Sequence, residues 1–276
     1  VVEALKARVY LEMEDYQNAA AAAQGLINSK RYTLISDGDA YKKMWLNDVG
    51  TEAIWQFAMS KTETGSNALG SSFMGIVDKL PRPSYLPVKS VLNLYDKEND
   101  IRYDAYFTTG LIDRQVGDDI EVTYCSKWPG NPELYEGKSN NVNKLKAFRI
   151  SEMYLIAAEA YAMLNQEDKA SEMLNELKKI RIKGWTETVY NGAALMQEIQ
   201  DERVRELFAE GNRLFDMKRW KIGMKRSSSD AQRDDYLPAL GTDIEKEATD
   251  NRWVWPIPKD EMDSNPQLKG QQNPGY

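Results

Sequence analysis

The sequence has no histidine and a single cysteine, Cys125, among its 276 residues. Without histidine, the chain cannot supply an imidazole zinc ligand, a histidine-activated nucleophile or the commonest general base. One cysteine excludes an intrachain disulfide and a thiolate cluster, and an inert thiol is favoured over a reactive one. Few classes of enzyme are compatible with this composition.

Other common functional signals are also missing. No run of 18 apolar residues occurs, so no transmembrane helix is predicted. The net charge is −7 and the basic residues are not clustered apart from acids, which argues against nucleic acid as a partner. The sequence has neither a phosphate-cradling glycine loop nor a dense acidic loop of calcium-binding spacing. We therefore expect no metal site and no cofactor, and leave open an adventitious ion at Asp118 and Asp119.

Two stretches have the pattern of helical hairpins. Apolar residues recur at helical spacing over residues 4–27, with a turn near Glu14, and again over residues 155–180. The second stretch repeats the first in four matched pairs: Ala7 and Ala158, Tyr10 and Tyr161, Ala19 and Ala170, Leu26 and Leu177. Because alanines let paired helices approach closely, we predict a mostly α fold of tetratricopeptide-like repeats.

Residues 202–220 read ERVRELFAEGNRLFDMKRW and, set on a helix, place their apolar residues on one buried stripe. We predict a long helix over residues 198–215. Gly211 lies in the centre of the stripe, where glycine is unfavourable in a helix, so we expect another group to approach its backbone closely. Charged residues border the stripe at spacings that suit ion pairs. We expect these charges to serve the fold rather than a ligand, against the alternative of a solvated face: Glu202, Arg203, Glu206, Glu210, Arg213, Asp216 and Arg219.

Between the repeats, residues 60–145 are rich in turn formers and predict loops with short strands. A strand is expected at 53–59, two more at 105–108 and 120–124, and a short amphipathic helix at 88–95. Asp100 and Arg102 are expected to stabilise the turn that follows this helix.

The loop-rich region also contains the candidate ligand residues. Trp128 precedes the run Pro129 to Pro132, which cannot continue a helix or a central strand and tends to present its neighbour at a surface tip. An aromatic face can contact the C–H face of a pyranose ring, while amides and charges bond its hydroxyls. The predicted ligand residues are Trp128, Tyr124, Tyr135, Asn131, Lys127 and Asp119; the alternative is that Trp128 is a packing residue.

Four stretches carry a family resemblance. They are residues 202–220, RISEMYLIAAEA at 149–160, WPIP at 255–258 with Glu261 and Asn265–Pro266, and QNPGY at 272–276. In this order they resemble the SusD/RagB-like proteins, glycan-binding surface lipoproteins of Bacteroidetes nutrient uptake. The resemblance adds Arg149, Glu152, Glu159, Gly211 and Trp220 to the structural motif. The chain departs from the family at Arg181, where Ile182–Gly184 replaces an arginine–alanine pair and leaves the exit turn of the repeat open.

The resemblance implies a single domain over residues 1–276, with the conserved-type helical core at 149–220 and a C-terminal clasp at 252–276 over the repeats. It also implies that the first helices, a signal peptide and a lipidated cysteine precede Val1 in the whole protein. The expected protein is a non-catalytic, cell-surface lipoprotein of the outer membrane. Its expected partners are a glycan and a SusC-like TonB-dependent transporter, with membrane contact only through the lipid anchor.

Two other functions are considered. A repeat scaffold can bind a peptide or glycopeptide in a concave groove. A glycoside hydrolase needs two carboxylates about 5–9 Å apart, for which Asp118, Asp119 and Glu121 are available without a spacing that singles them out.

Overall fold

The structure is a computed structural model and describes residues 1–63, 69–77, 79–114, 117–135, 141–227, 229–232 and 245–276. Its helices are α1 (Val2–Glu12), α2 (Tyr16–Asn28), α3 (Gly38–Leu46), α4 (Ser71–Met74), α5 (Lys89–Leu92), α6 (Tyr103–Tyr106), α7 (Ile150–Met163), α8 (Glu167–Arg181), α9 (Gly192–Glu206), α10 (Arg213–Trp220) and α11 (Lys259–Ser264). Its strands are β1 (Ala53–Gln56), β2 (Ile76–Val77), β3 (Leu80–Pro81), β4 (Phe107–Ile112), β5 (Ile120–Cys125), β6 (Lys146–Arg149), β7 (Met224–Lys225) and β8 (Glu245–Lys246). Short 3-10 turns lie at Pro132–Leu134, Asn251–Trp253 and Pro266–Leu268. Among these described residues, no helix is both long and apolar enough to cross a bilayer.

Both predicted hairpins are confirmed. Helices α1 and α2 form the first and α7 and α8 the second, and α2 packs along α7 while α9 packs on α7 and α8. The alanines at the matched positions, Ala7, Ala158, Ala19 and Ala170, are fully buried. Their small side chains bring the helix backbones together, which agrees with the predicted tetratricopeptide-like frame.

The predicted long helix over residues 198–215 is wrong in its second half. Helix α9 ends at Glu206, and the chain turns before α10 begins at Arg213. Within this turn Ala209 and Gly211 have φ values of +57° and +84°. Gly211 is exposed, and a Cβ added there would meet no atom within 4 Å. The expected close approach is therefore wrong, because the position uses glycine for its left-handed backbone conformation.

The predicted strands are present as antiparallel ribbons. Strand β1 pairs with β6, with Trp55 opposite Phe148, and β4 pairs with β5 from Phe107 opposite Cys125 to Ile112 opposite Ile120. Helix α6 occupies 103–106, so the first strand of the second ribbon begins two residues later than predicted. The predicted helix at 88–95 is the shorter α5.

A second apolar core surrounds helix α3, which the sequence did not assign. Asp37 caps this helix by accepting a hydrogen bond from the amide of Ala40. The helix buries Tyr41, Met44 and Trp45, and the Trp45 ring contacts the Trp128 ring edge to face at 5.1 Å between centres. This core connects α3 to the loop-rich region.

The loop between β5 and β6 is attached to α3 by side-chain hydrogen bonds. Asp48, two residues after the helix, accepts from Asn131 Nδ2 at 2.9 Å, from the amide of Lys144 at 3.0 Å and from Lys146 Nζ at 2.9 Å. Asn143 Nδ2 donates to the carbonyl of Trp45 at 2.7 Å. Because these partners are buried, the loop is fixed along most of its described length.

The chain divides into two compact units, residues 1–211 and 212–276. In the second unit, the segment after Trp253 is paired with the C-terminus: Asn273 Nδ2 donates to the carbonyl of Trp255 at 2.6 Å, and Gln272 bonds both backbone groups of Ile257. The single domain and the clasp over the repeats stay predictions. Residues 227–251 are charged and poor in apolar residues, which predicts an exposed excursion; about half of this stretch, residues 228 and 233–244, lies outside the described residues.

Candidate functional site

A network of buried charges, which we call the buried charge cluster, lies at the end of α9 and centres on Glu206. Glu206 accepts hydrogen bonds from Arg149 Nη1 at 2.8 Å, from Arg181 Nη2 at 2.9 Å and from Arg102 Nη1 at 3.1 Å. All four side chains are essentially inaccessible to solvent. The cluster further includes Asp100, Glu52, Glu202, Glu210 and Lys127.

Two acids of the cluster, Glu206 and Glu202, are held ionised by arginine. Burial alone would raise the pKa of Glu206, but Arg181 and Arg149 hold it well below its ordinary value. Burial also raises the pKa of Glu202, but Arg102 and Arg205 outweigh this effect and lower it to about 2. These carboxylates have no proton to donate at neutral pH and no access to a substrate, so they are suited to a structural role.

Lys127 joins the cluster to the turn after α9. Its Nζ donates to the carbonyl of Phe208 and to Glu210 Oε1, both at 2.7 Å, and lies 3.8 Å from the centre of the Tyr106 ring. Burial lowers the Lys127 pKa to about 8, against the opposing effect of Glu210. Lys127 therefore stabilises the backbone of the turn after α9 from a buried position, and its predicted ligand role stays a prediction.

The remaining motif residues are mostly paired. Glu152 receives both Nε and Nη2 of Arg8 at 2.7 Å, and Glu159 lies 3.8 Å from Arg203. In the second unit Asp216 binds Arg219 at 2.8 Å, and the guanidinium groups of Arg213 and Arg219 lie over the Trp220 ring. Asp216 and Arg219 are neighbours on one helix, whereas Arg8–Glu152 and Glu159–Arg203 join distant parts of the chain. The predicted role of these residues in the fold stays a prediction.

The predicted exposure of Trp128 is wrong. Its side chain is 2% exposed, and its Nε1 donates to the carbonyl of Ala209 at 3.1 Å. The proline–glycine run does turn the chain, but it turns the indole inward against Trp45 because the asparagines of the loop fix the backbone on α3. Asn131, a second predicted ligand residue, is also buried and is bonded to Asp48.

The other predicted ligand residues do not share one surface. Tyr124 is buried, Tyr135 is half-buried, and Asp119 is exposed at the opposite end of the β4–β5 ribbon from Trp128. At about 3.3 Å per residue, the length of β5 separates Asp119 from Lys127 by more than about 16 Å. A single arc of these residues is therefore not formed. Their ligand role stays untested, but no common binding surface supports it.

Exposed aromatic rings occur elsewhere in the first unit. Trp55 and Phe57 are 41% and 45% exposed on one side of the β1–β6 ribbon, with their ring centres 4.7 Å apart. Tyr85, in the loop-rich region, is 65% exposed and contacts Phe73 at 6.2 Å. The alternation Trp55–Gln56–Phe57 in a predicted strand was a signal for the first pair, since residues two apart share a face.

A metal or a reactive thiol finds no support in the described parts of the chain. Within them, no group of three or more histidine, cysteine, aspartate or glutamate side chains is placed to hold a metal ion. Burial raises the pKa of the Cys125 thiol to about 11, which makes it unreactive at neutral pH.

The sequence and the structure of this chain are similar to those of known proteins. A model of the SusD family matches residues 109–276. SusD-like protein P38 of Formosa agariphila is 25% identical over 311 aligned residues, which cover 96% of this chain and 58% of P38. A crystal structure of a SusD superfamily protein from Bacteroides thetaiotaomicron matches with a TM-score of 0.77 and 27% identity, over 99% of this chain and 59% of that one.

The surface glycan-binding protein A from Bacteroides fluxus also matches, with a TM-score of 0.64 and 24% identity over 99% of this chain and 61% of that one. At this identity the match shows a shared fold. The chain thus spans about three fifths of the length of the proteins that it resembles.

Proposed function

This chain belongs to the SusD family, and we propose that it binds glycans at the cell surface, without cleaving them, for delivery to a SusC-like TonB-dependent transporter. In this role the whole protein is an outer-membrane lipoprotein that faces outward. Family membership is the observation that supports the proposal, because the sequence motifs of the resemblance imply this function.

The chemistry of the buried charge cluster supports binding over hydrolysis. A glycoside hydrolase needs one protonated carboxylic acid and a second carboxylate about 5–9 Å away, both facing the sugar. Glu202 and Glu206 are inaccessible and ionised by arginine. The exposed acids Asp118, Asp119 and Glu121 lie at or near the tip of the β4–β5 ribbon.

Peptide capture is the second candidate, and one observation favours it. A groove of about 240 Å³ beside α8 is lined by Asp168, Glu172, Glu176 and Glu187. Its negative charge would suit a basic peptide better than a neutral sugar. The family resemblance supports the glycan, which we propose as the ligand.

The proposal is tested with a glycan array, followed by calorimetry and chromatography of each bound glycan after incubation with the pure chain. We expect saturable binding of at least one oligosaccharide and full recovery of its length. Shortened products that disappear when a carboxylate is changed would instead establish a hydrolase. Binding of basic peptides with no glycan retained would favour the peptide alternative.

The delivery step needs its own measurement. We expect the whole lipoprotein to co-purify with a TonB-dependent transporter from outer membranes solubilised in mild detergent. Recovery of the lipoprotein alone, under conditions that keep other outer-membrane complexes intact, would argue against this partner.

A further inference from the structure

We propose that Asn191 is a deamidation site at the start of α9, and that Glu167, at the start of α8, restrains the reaction in the folded chain. The sequence contains one asparagine–glycine pair, Asn191–Gly192. Because glycine has no side chain, its amide nitrogen can approach the side chain of the preceding asparagine with little steric obstruction. The reaction needs only water and does not depend on which ligand the protein binds.

Deamidation proceeds through a cyclic imide. The Gly192 amide nitrogen loses its proton to hydroxide and attacks Cγ of Asn191. A bond forms between that nitrogen and Cγ, the bond from Cγ to Nδ2 breaks, and Nδ2 leaves as ammonia after it takes a proton from water. Water then opens the imide at either carbonyl, which gives aspartate or isoaspartate. The chain loses ammonia and gains water, and no atom is oxidised or reduced.

The carboxylate of Glu167 contacts both reacting groups. Its Oε1 accepts a hydrogen bond from the Gly192 amide at 3.0 Å. With the Asn191 amide turned so that its nitrogen faces the nearby acceptors, Nδ2 donates to Glu167 Oε2 at 3.3 Å and to the carbonyl of Tyr190 at 3.1 Å. One side chain of α8 therefore holds the attacking nitrogen and the leaving group at the same time.

The backbone conformation at this position is not the reactive one. Asn191 is extended, with φ −137° and ψ 153°, and Gly192 has a left-handed φ of +52°. A flat five-membered imide requires the Gly192 nitrogen to be nearly eclipsed with Cβ of Asn191, which this ψ does not provide. The Asn191 ψ must rotate, and the Gly192 amide must leave Glu167, before the ring can close. The rate in the folded chain is therefore set by how often this contact opens.

The same contact caps α9. The first amides of a helix have no partner within it, and an asparagine before the helix often accepts from one of them. Here Glu167 accepts from Gly192, the first residue of α9, while the Asn191 side chain faces Glu167 and Tyr190. A carboxylate is favourable beside a helix N-terminus. Deamidation would place a second carboxylate against Glu167, and repulsion between the two acids would weaken the junction of α8 and α9.

The test follows the purified chain over time at mildly alkaline pH, and peptide mapping by mass spectrometry gives the deamidated fraction at Asn191. We expect Glu167→Ala to deamidate roughly three- to tenfold faster than the unmodified chain, because one restraining hydrogen-bond acceptor is lost. Glu167→Gln keeps an acceptor oxygen and should accelerate the reaction by a smaller factor. Asp168→Ala, the matched control, removes the next charge along α8 but leaves the Glu167 contact in place, so its rate should be unchanged. The unmodified chain unfolded in guanidinium chloride should react faster than the folded chain.

Several results would overturn the proposal. No deamidation at Asn191, even in guanidinium chloride, would show that it is not a site. An unchanged rate in Glu167→Ala would show that Glu167 does not restrain the reaction, and a slower rate would show that its carboxylate instead helps to remove the Gly192 proton. Equal acceleration in Asp168→Ala would assign the effect to charge alone. Circular dichroism establishes that each variant is folded; if Glu167→Ala is not, a rate in Glu167→Gln equal to that of the unmodified chain overturns the restraint.

Discussion

In a soluble protein one side of a ribbon is usually apolar and buried and the other polar and exposed. The two sides of the β1–β6 ribbon have the reverse distribution. On the inner side Glu52 and Arg149 are fully buried in the charge cluster. On the outer side Trp55 and Phe57 keep more than two fifths of their surfaces exposed. The ribbon thus has buried charge on one side and exposed aromatic rings on the other, where the ordinary expectation is the reverse.

The contrast shows that each side follows a different physical requirement. The inner charges are acceptable because every acid of the cluster meets at least one arginine or lysine at hydrogen-bond distance. Such networks add little net stability over apolar packing, but they strongly penalise any structure that leaves one charge unpaired. The outer rings add less to the stability of this chain, because a larger share of their surface stays exposed.

The largest effect should come from removing the centre of the cluster. Glu206→Ala removes one carboxylate partner from each of the buried residues Arg102, Arg149 and Arg181, so we expect it to lower the free energy of unfolding by about 3–5 kcal/mol, or to prevent folding. Urea denaturation followed by circular dichroism measures the change. Glu176→Ala, which removes the exposed pair with Lys179 on α8, is the control and should leave the transition almost unchanged.

A Glu206→Ala protein as stable as the original would show that the arginines find other acceptors. The stability of the buried charge cluster would then not depend on Glu206. Glu206→Gln refines the result. It keeps the side-chain oxygen but removes the charge, so an intermediate loss of stability would show that charge, and not only hydrogen bonding, holds the cluster together.

A pair of tryptophan substitutions sharpens the comparison between inside and outside. Trp128→Ala removes a buried ring and should cost about 3 kcal/mol or somewhat more, whereas Trp55→Ala should cost about 1 kcal/mol or less. Guanidinium denaturation of both variants under one set of conditions gives the difference. Similar small losses would mean that Trp128 is accessible after all, and its predicted place on the ligand surface would return.

Low pH should destabilise the buried charge cluster. The folded pKa of Glu202 is lowered to about 2 from an ordinary value of 4.5, so its contribution is complete above pH 4.5 and is lost as the pH falls toward 2. The loss from this one group amounts to at most about 3 kcal/mol. The lowered pKa values of Glu206 and Glu210 act in the same direction.

The measurement is the free energy of unfolding at several pH values from 6 to 2. Glu202→Gln cannot titrate, so its stability should fall less steeply than that of the unmodified chain between pH 4.5 and 2. Equal slopes in the two proteins would show that Glu202 is not ionised by Arg102 and Arg205 in the folded state.

The helical frame was predictable because its signals are local. Alanines and larger apolar residues at a spacing of three or four specify α1, α2, α7 and α8, and each hairpin closes within a few residues. The end of α9 was not predictable in the same way. The apolar period continues through Gly211, and the left-handed turn at Ala209 depends on Lys127 and Trp128 binding the carbonyls of Phe208 and Ala209.

The candidate ligand surface could be predicted only as a residue type and not as a position. Turn-forming residues around Trp128 were identified correctly as a turn, but the sequence does not show whether the turn faces solvent. That outcome depends on Asp48 and the asparagines that attach the loop to α3.

The sequence by itself determined the family, the mostly α frame and the strands, because motifs and periodicity are carried by neighbouring residues. Only the tertiary structure decided which charges meet and which rings are exposed. Glu206 is separated from Arg102 by 104 positions and from Arg149 by 57, and no local pattern encodes such pairs. Burial is set by neighbours that are distant in the chain, which is why Trp128 lies inside the protein and Trp55 on its surface.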